Sequence, residues 1–339
     1  MVEVARLHAL RESAVVLDGG THDVLRAMGN DRVTFLHRIT SGTVAGKTPG
    51  QGSRTLLLDV RGRVLASLLA FVRAKSVRLL APGGQGSEIA AGLAKFAVMD
   101  DFQIAPEADL ATLAILGPRA AMVLGAVGVP VPSSLLESPL YDHLDAASEA
   151  YGPLWIAHGR ACGTDGLCVV ASCGAREALV EALLAQGTPR LAPEIAEALR
   201  ISALEPKPGS EIVPERFPVE IGLGPAIDHG KGCYVGQETI VRMRDRGIIR
   251  KRLVLLRLAG DDVPSPGDKV AAEASPAAGQ VTSAGCLPGD RPVALAIVAS
   301  AIPVGAAVQI QHGDVRLAAE VTAESPPWGD SQRLEHRTG

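Results

Sequence analysis

Lys231-Gly232-Cys233-Tyr234-Val235-Gly236-Gln237-Glu238 is the stretch on which the reading of this chain turns, set between His229 and a basic run that ends Arg250-Lys251-Arg252. It brings a thiol, a cation and two glycines into one turn. A thiol acts as nucleophile or ligand only as thiolate, a form that a nearby Lys, His⁺ or helix N-terminus favours. Lys231 and His229 both precede Cys233 within one turn's reach. Gly232 and Gly236 permit backbone angles that a Cβ forbids, so the segment can bend sharply and come close to a ligand. Glu238 to Arg244 reads as a short helix with its acid first and its bases last, the order the helix dipole prefers. Cys233 then sits just before a helix N-terminus. The same residues also suit a surface turn with a half-buried, inert thiol, and on the residues alone both readings stay open.

The eight-residue run Lys231–Glu238 resembles the signature of the YgfZ family of folate-binding proteins, bacterial relatives of a mitochondrial iron–sulfur assembly factor. Pro218 and Glu220 before it, and Arg242 and Gly247-Ile248-Ile249-Arg250-Lys251-Arg252-Leu253 after it, are similar to that family as well. Arg200-Ile201, with Pro208, Gly209 and Glu211, looks like a stretch of the glycine cleavage aminomethyltransferases, whose fold the family shares. The resemblance implies an α+β fold, with folate-binding domains around a central channel, followed by a small antiparallel C-terminal β-barrel. It implies tetrahydrofolate, or a one-carbon-substituted folate, as cofactor. Cys233 would be the functional thiol with Lys231 beside it, and Phe71, Arg200, Tyr234, Gln237 and Glu238 would hold or position the folate; no metal ligand is expected. The function implied is a folate-binding factor that supports assembly or repair of iron–sulfur clusters in target enzymes, including tRNA-modifying ones. Iron–sulfur client or assembly proteins would be its partners, and it would be an accessory factor more than a turnover enzyme.

Two departures from the transferase pattern matter. In Cys162-Gly163-Thr164-Asp165-Gly166, Thr164 stands where those enzymes carry the glutamate that holds the pterin. After the strand ending at Ala81 the chain lacks their catalytic aspartate stretch, and Glu88 is the nearest carboxylate. Without a carboxylate to orient folate and aminomethyl group, one-carbon transfer loses a positioning and proton-handling group. A folate-dependent aminomethyltransferase is therefore the alternative. A second alternative is an RNA- or partner-binding module that uses the run 242–257, where seven cations, Arg242, Arg244, Arg246, Arg250, Lys251, Arg252 and Arg257, outnumber the acids. A solvated helix face explains the same run.

The 339 residues allow two or three domains. A net charge of −4 argues against nucleic-acid binding by bulk charge, which leaves only a local basic patch. Cys162, Cys168, Cys173, Cys233 and Cys286 are odd in number and lack C-x-x-C spacing, so neither a disulfide framework nor a zinc ribbon is indicated. No run reaches the roughly 18 apolar residues of a membrane span, and no basic-then-apolar leader opens the chain; a cytoplasmic protein is expected.

Outward from the motif, the expected division is an α+β lobe over 1–105, a second α+β lobe over 106–250, the barrel over 251–325 and a disordered tail over 326–339. Apolar spacing predicts helices at 31–39, with His37 on its polar, solvated side, and at 88–96, 119–127, 177–186 and 193–204. Strands are expected at 14–17, followed by a turn at Asp18-Gly19-Gly20, and at 55–59, 64–71, 77–81, 110–116, 154–157 and 167–171. Asp59, Arg61 and Arg63 flank a hairpin turn that reads as solvated, and Ala105-Pro106-Glu107 reads as a link between lobes. Short strands at 253–258, 269–271, 279–283, 293–298 and 308–310, punctuated by Gly and Pro, give the barrel.

Overall fold

The structure, a computed structural model, describes residues 2–18, 22–273 and 275–328, without side-chain detail at 2–4 and 276. The chain divides into two compact units: the part up to Leu57 with Ala66–Ala192, and Leu58–Leu65 with the part from Pro193 on.

The first unit carries helices α1 (Val2–Glu12), α2 (Arg32–Ile39), α3 (Gly86–Ala94), α4 (Ala120–Ala126) and α5 (Cys173–Ala185). Its strands are β1 (Val15–Leu17), β2 (His22–Met28), β3 (Gly52–Leu58), β4 (Val64–Val72), β5 (Val77–Pro82), β6 (Gln103–Pro106), β7 (Leu110–Leu116), β8 (His143–Ser148), β9 (Gly152–Ala161) and β10 (Thr164–Ser172). They form two five-stranded sheets, β3-β4-β5-β2-β6 and β1-β7-β10-β9-β8. The two-residue period of a strand sorts the side chains into layers. On β9, Leu154 and Ile156 join Leu124 of α4 and Leu179 and Leu183 of α5 on one face. Trp155 and Ala157 point the other way and meet Val24, Phe71 and Leu80 of the other sheet.

The second unit has α6 (Pro193–Ser202), α7 (Gln237–Arg246) and strands β11 (Lys251–Leu258), β12 (Lys269–Ala272), β13 (Ser275–Gly285), β14 (Val293–Ala299), β15 (Ala307–His312) and β16 (Val315–Glu324). These close into a barrel in the order β11-β14-β13-β12-β15-β16, filled by alternate residues such as Val254, Leu256, Val270, Ala296, Val298, Ile310 and Val321. The α+β fold and the C-terminal barrel are as the sequence leads one to expect.

Four local expectations change. The supposed link at Ala105–Glu107 is largely strand β6, which pairs with β2. His37, on the polar side of α2, is half-buried, and its Nδ1 accepts a 3.3 Å hydrogen bond from Val44 N–H. The hairpin turn at 59–63 is not simply solvated, because Gly62 is buried. Of the tail expected to be disordered, 326–328 are described and the Trp328 ring is buried; 329–339 lie outside the described residues, as do Gly19 and Gly20 of the first expected turn.

Candidate functional site

The turn at Lys231–Gly236 is held by a backbone-to-backbone contact. Gly236 caps α7 with φ +81°, a conformation that favours glycine. A Cβ there would lie 2.4 Å from the Asp59 carbonyl oxygen and 2.8 Å from Gly62 Cα. Gly62 has φ +80°, and a Cβ on it would lie 2.9 Å from the Gly236 carbonyl oxygen and 3.3 Å from the Ile240 side chain. Two glycines far apart in sequence thus share one seat. The hairpin tip that makes this contact is itself braced: Asp59 Oδ1 accepts hydrogen bonds from Arg61 N–H and Arg63 N–H, both 2.8 Å. Val64 N–H donates to the Arg216 carbonyl, and the Arg63 guanidinium lies 5.8 Å from the Phe217 ring centroid.

Upon this platform Cys233 is exposed. Lys231 places its ammonium 5.4 Å from the Tyr234 ring centroid. Burial, opposed by Asp228, lowers Lys231 to about 8, so it gives and takes a proton near neutral pH. Tyr234 is buried, and burial pushes its hydroxyl up to about 12. His229 is lowered by burial first and by Arg244 second, against the pull of Asp228 and Asp245. A lowered imidazole is neutral at pH 7, so of the two basic groups that precede Cys233 in the turn Lys231 is the one that carries a charge. The His229 ring meets the Trp328 ring edge-on, centroids 5.3 Å apart at 71°. Both ring nitrogens of His229 and the Tyr234 hydroxyl are buried without a hydrogen-bond partner among the described residues.

Gln237 opens α7 and is half-buried. Glu238 is exposed and paired with Arg242 at 2.5 Å, one helical turn on. The basic run is partly neutralised: besides that pair, Arg244 meets Asp245, Arg252 meets Glu324 and Arg257 meets Asp290 at 3.7 Å. Arg246, Arg250 and Lys251 are exposed.

The other two expected folate contacts lie elsewhere. Phe71, in the first unit, is 1% exposed, with its ring edge-to-face against Trp155 at 4.6 Å and His143 at 5.4 Å. Arg200, in the second unit, donates through Nε and Nη2 to Glu197 at 2.9 and 2.8 Å and through Nη1 to Glu211 at 3.2 Å. Glu211 is fully buried and also accepts from Ser283 Oγ at 2.7 Å and Lys207 N–H at 3.0 Å. The Arg200 charge is therefore already satisfied within the protein. Thr164 opens β10 after a tight turn in which Cys162 and Gly163 both take positive φ. Asp165 pairs with Arg160 at 2.6 Å, and Glu88 is exposed on α3. Among the described residues no three His, Cys, Asp or Glu side chains gather as a metal-ligand set, and no helix is long and apolar enough to cross a membrane.

Sequence reasoning missed two parts of this site, the hairpin tip and Trp328. The signal for the first was Gly62 between two arginines; for the second it was a lone tryptophan after two prolines in a polar tail.

Comparison with known proteins agrees with this architecture. A chloroplastic protein of Arabidopsis thaliana named as a transferase is 26% identical over 76% of this chain, a match that spans 59% of that protein's length. The aminomethyltransferase of Synechococcus elongatus is 28% identical over 87% of this chain and 79% of its own. In three dimensions the glycine cleavage system aminomethyltransferase T of Bartonella henselae superposes with a TM-score of 0.83 at 24% identity, covering 95% of this chain and 88% of that one; at that identity the likeness speaks for the fold. The GCVT N-terminal domain matches residues 3–231, about two thirds of the sequence, and the chain belongs to that family.

Proposed function

We propose that this protein binds a tetrahydrofolate and works on the one-carbon unit it carries, as a folate-dependent aminomethyltransferase or a close derivative of one. The observation that carries the reading is the family match over residues 3–231, with relatives named aminomethyltransferase along most of the chain. The comparisons favour this side over a YgfZ-type role in cluster assembly.

The fit of the residues to a folate is partial. Trp155 Nε1 is buried beside Phe71 without a partner among the described residues, a donor that a carbonyl or ring nitrogen of a folate would satisfy. Arg200 does not fit, because Glu197 and Glu211 already neutralise it. A bound tetrahydrofolate supplies the nitrogens that carry the one-carbon unit. The chain's own contribution at the motif is a rigid glycine seat, an exposed thiol at Cys233 and an amine at Lys231 that exchanges protons near pH 8.

Calorimetric titration with tetrahydrofolate, followed by assay of methylenetetrahydrofolate formation from an aminomethyl-bearing donor protein, tests this. Saturable binding with turnover is the expected result, and absence of binding sinks it. Binding without turnover would move weight to the second reading, which the exposed Cys233 favours: a folate-binding factor supporting iron–sulfur cluster assembly or repair. For that reading, wild type but not Cys233→Ala should restore a cluster-dependent tRNA-modifying enzyme in cells lacking the protein.

A further inference from the structure

The segment Ser325–Trp328 packs against Gly222, Gly224 and His229, the residues that lead into the motif turn, in a seat cut to its shape. Its near end is anchored: Ser325 is buried, and its N–H donates to the Leu253 carbonyl at 3.0 Å. The seat is glycine. A Cβ on Gly222 would lie 2.7 Å from Ser325 Cβ, and one on Gly224 would lie 1.7 Å from the Pro327 carbonyl oxygen. At the far end the Trp328 ring, 9% exposed, closes edge-on against His229.

What lies under this apolar cover is polar and unsatisfied. His229 Nδ1 and Nε2 are buried without partners among the described residues, and so is the hydroxyl of Tyr234, which directly follows Cys233. His229 and Tyr234 share the same charged neighbours, Arg244 and Asp228, with Asp245 also facing His229. Buried polar atoms in folded proteins are nearly always hydrogen-bonded, and each one left unpaired weakens the state that buries it. The two on His229, directly under the Trp328 ring, weaken the closed state. Lifting the tryptophan gives both a partner at the expense of one indole's burial.

We propose that Pro326–Trp328 is a lid, hinged at Ser325, that covers His229 and opens to admit a polar ligand beside the Cys233 turn. A neutral imidazole offers one donor and one acceptor face. The ligand class is therefore one whose edge carries both, such as an amide or an amino-substituted heterocycle. The alternative is a fixed plug that completes the core and never moves.

Carbethoxylation of histidines on the full chain by diethyl pyrocarbonate, read by peptide mass mapping, separates the two. In wild type, His229 should label slowly but to completion. Trp328→Ala should label it at least fivefold faster and Trp328→Phe, which keeps an aromatic cover, close to the wild-type rate. Buried His158 should stay unlabelled, and thermal melting should remain cooperative in all three. Equal rates at His229 in all three proteins would overturn the cover. A wild-type His229 still unlabelled when Trp328→Ala has finished would overturn the lid in favour of the plug. No folate enters the experiment, so its outcome is independent of the functional proposal.

Discussion

Lys231 is the residue whose chemistry the fold alters most usefully. A free lysine stays charged far above neutrality, but here burial brings the titration down to about 8. Below that pH the ammonium is charged; above it the charge is lost. A nearby cation promotes attack by a thiol, so Lys231→Gln should slow iodoacetamide alkylation of Cys233 about threefold at pH 7, the order expected of one charge at high effective dielectric. The difference should close by about pH 9, where the wild-type lysine is itself neutral. A rate ratio that stays constant from pH 6 to 10 would show that Lys231 acts by packing on Tyr234 and not by charge. Cys168 is the internal contrast: burial between β7 and β9 pushes its thiol up to about 12. Half-buried and held as thiol, it should alkylate far more slowly than Cys233.

At the scale of elements, the decisive event is the docking of the 59–63 turn against the start of α7. Gly236→Ala meets two penalties, a Cβ at positive φ and a Cβ 2.4 Å from the Asp59 carbonyl. The first costs about 1–2 kcal/mol and the second about 1–3 kcal/mol of overpacking, so a loss of roughly 2–5 kcal/mol is expected in urea unfolding. Gly232→Ala in the same turn, where a Cβ would meet nothing within 4 Å and φ is not positive, should stay within about 0.5 kcal/mol of wild type. Equal losses for both would remove the docking account. These elements differ in how far the sequence revealed them. Helix α7 was legible from its glycine, its early acid and its late bases, and five barrel strands from apolar runs between Gly and Pro. Strand β16, Val315–Glu324, was not: it is rich in Ala and Glu, which favour helix, and only the barrel gives Leu317, Ala319 and Val321 a buried side. β8 was missed for a similar reason, since its mixed polar run gains meaning only from pairing with β9. The thiol turn was legible because its chemistry is local in sequence. The Gly62 seat and the Trp328 cover were not, because each is a contact between segments remote in the chain, and periodicity carries no trace of such pairing.

At the scale of the whole molecule, a chain with 37 acids and 33 bases and a buried carboxylate at Glu211 paired into a wider ion cluster should fail first in acid. Glu197 is the sensitive group. Burial alone would raise it, but hydrogen bonds from Arg200 and Lys207, aided by their charges, hold it down at about 2. Its unfolded counterpart titrates near 4.5. Between these values the unfolded chain binds a proton that the folded chain does not, so stability rises with pH across that window. The contribution is complete above about pH 4.5 and is lost as pH falls toward 2. Because Glu197 keeps 30% of its side-chain surface in solvent, only about 1–2 kcal/mol is expected from it after screening. Glu211 is different, since it is fully enclosed and shared by Arg200, Lys207 and Ser283. Removing one partner of a buried pair strands the other, and Glu211→Ala should cost about 3–5 kcal/mol at pH 7. The experiment is urea unfolding of wild type, Glu197→Gln and Glu211→Ala at pH 7 and pH 3. Glu197→Gln should start weaker at pH 7 and lose less than wild type on going to pH 3. Glu211→Ala should be the least stable of the three at pH 7. If Glu197→Gln keeps the full acid slope, the acid sensitivity belongs to other carboxylates, and the Arg200 cluster is a packing device and not a titrating one.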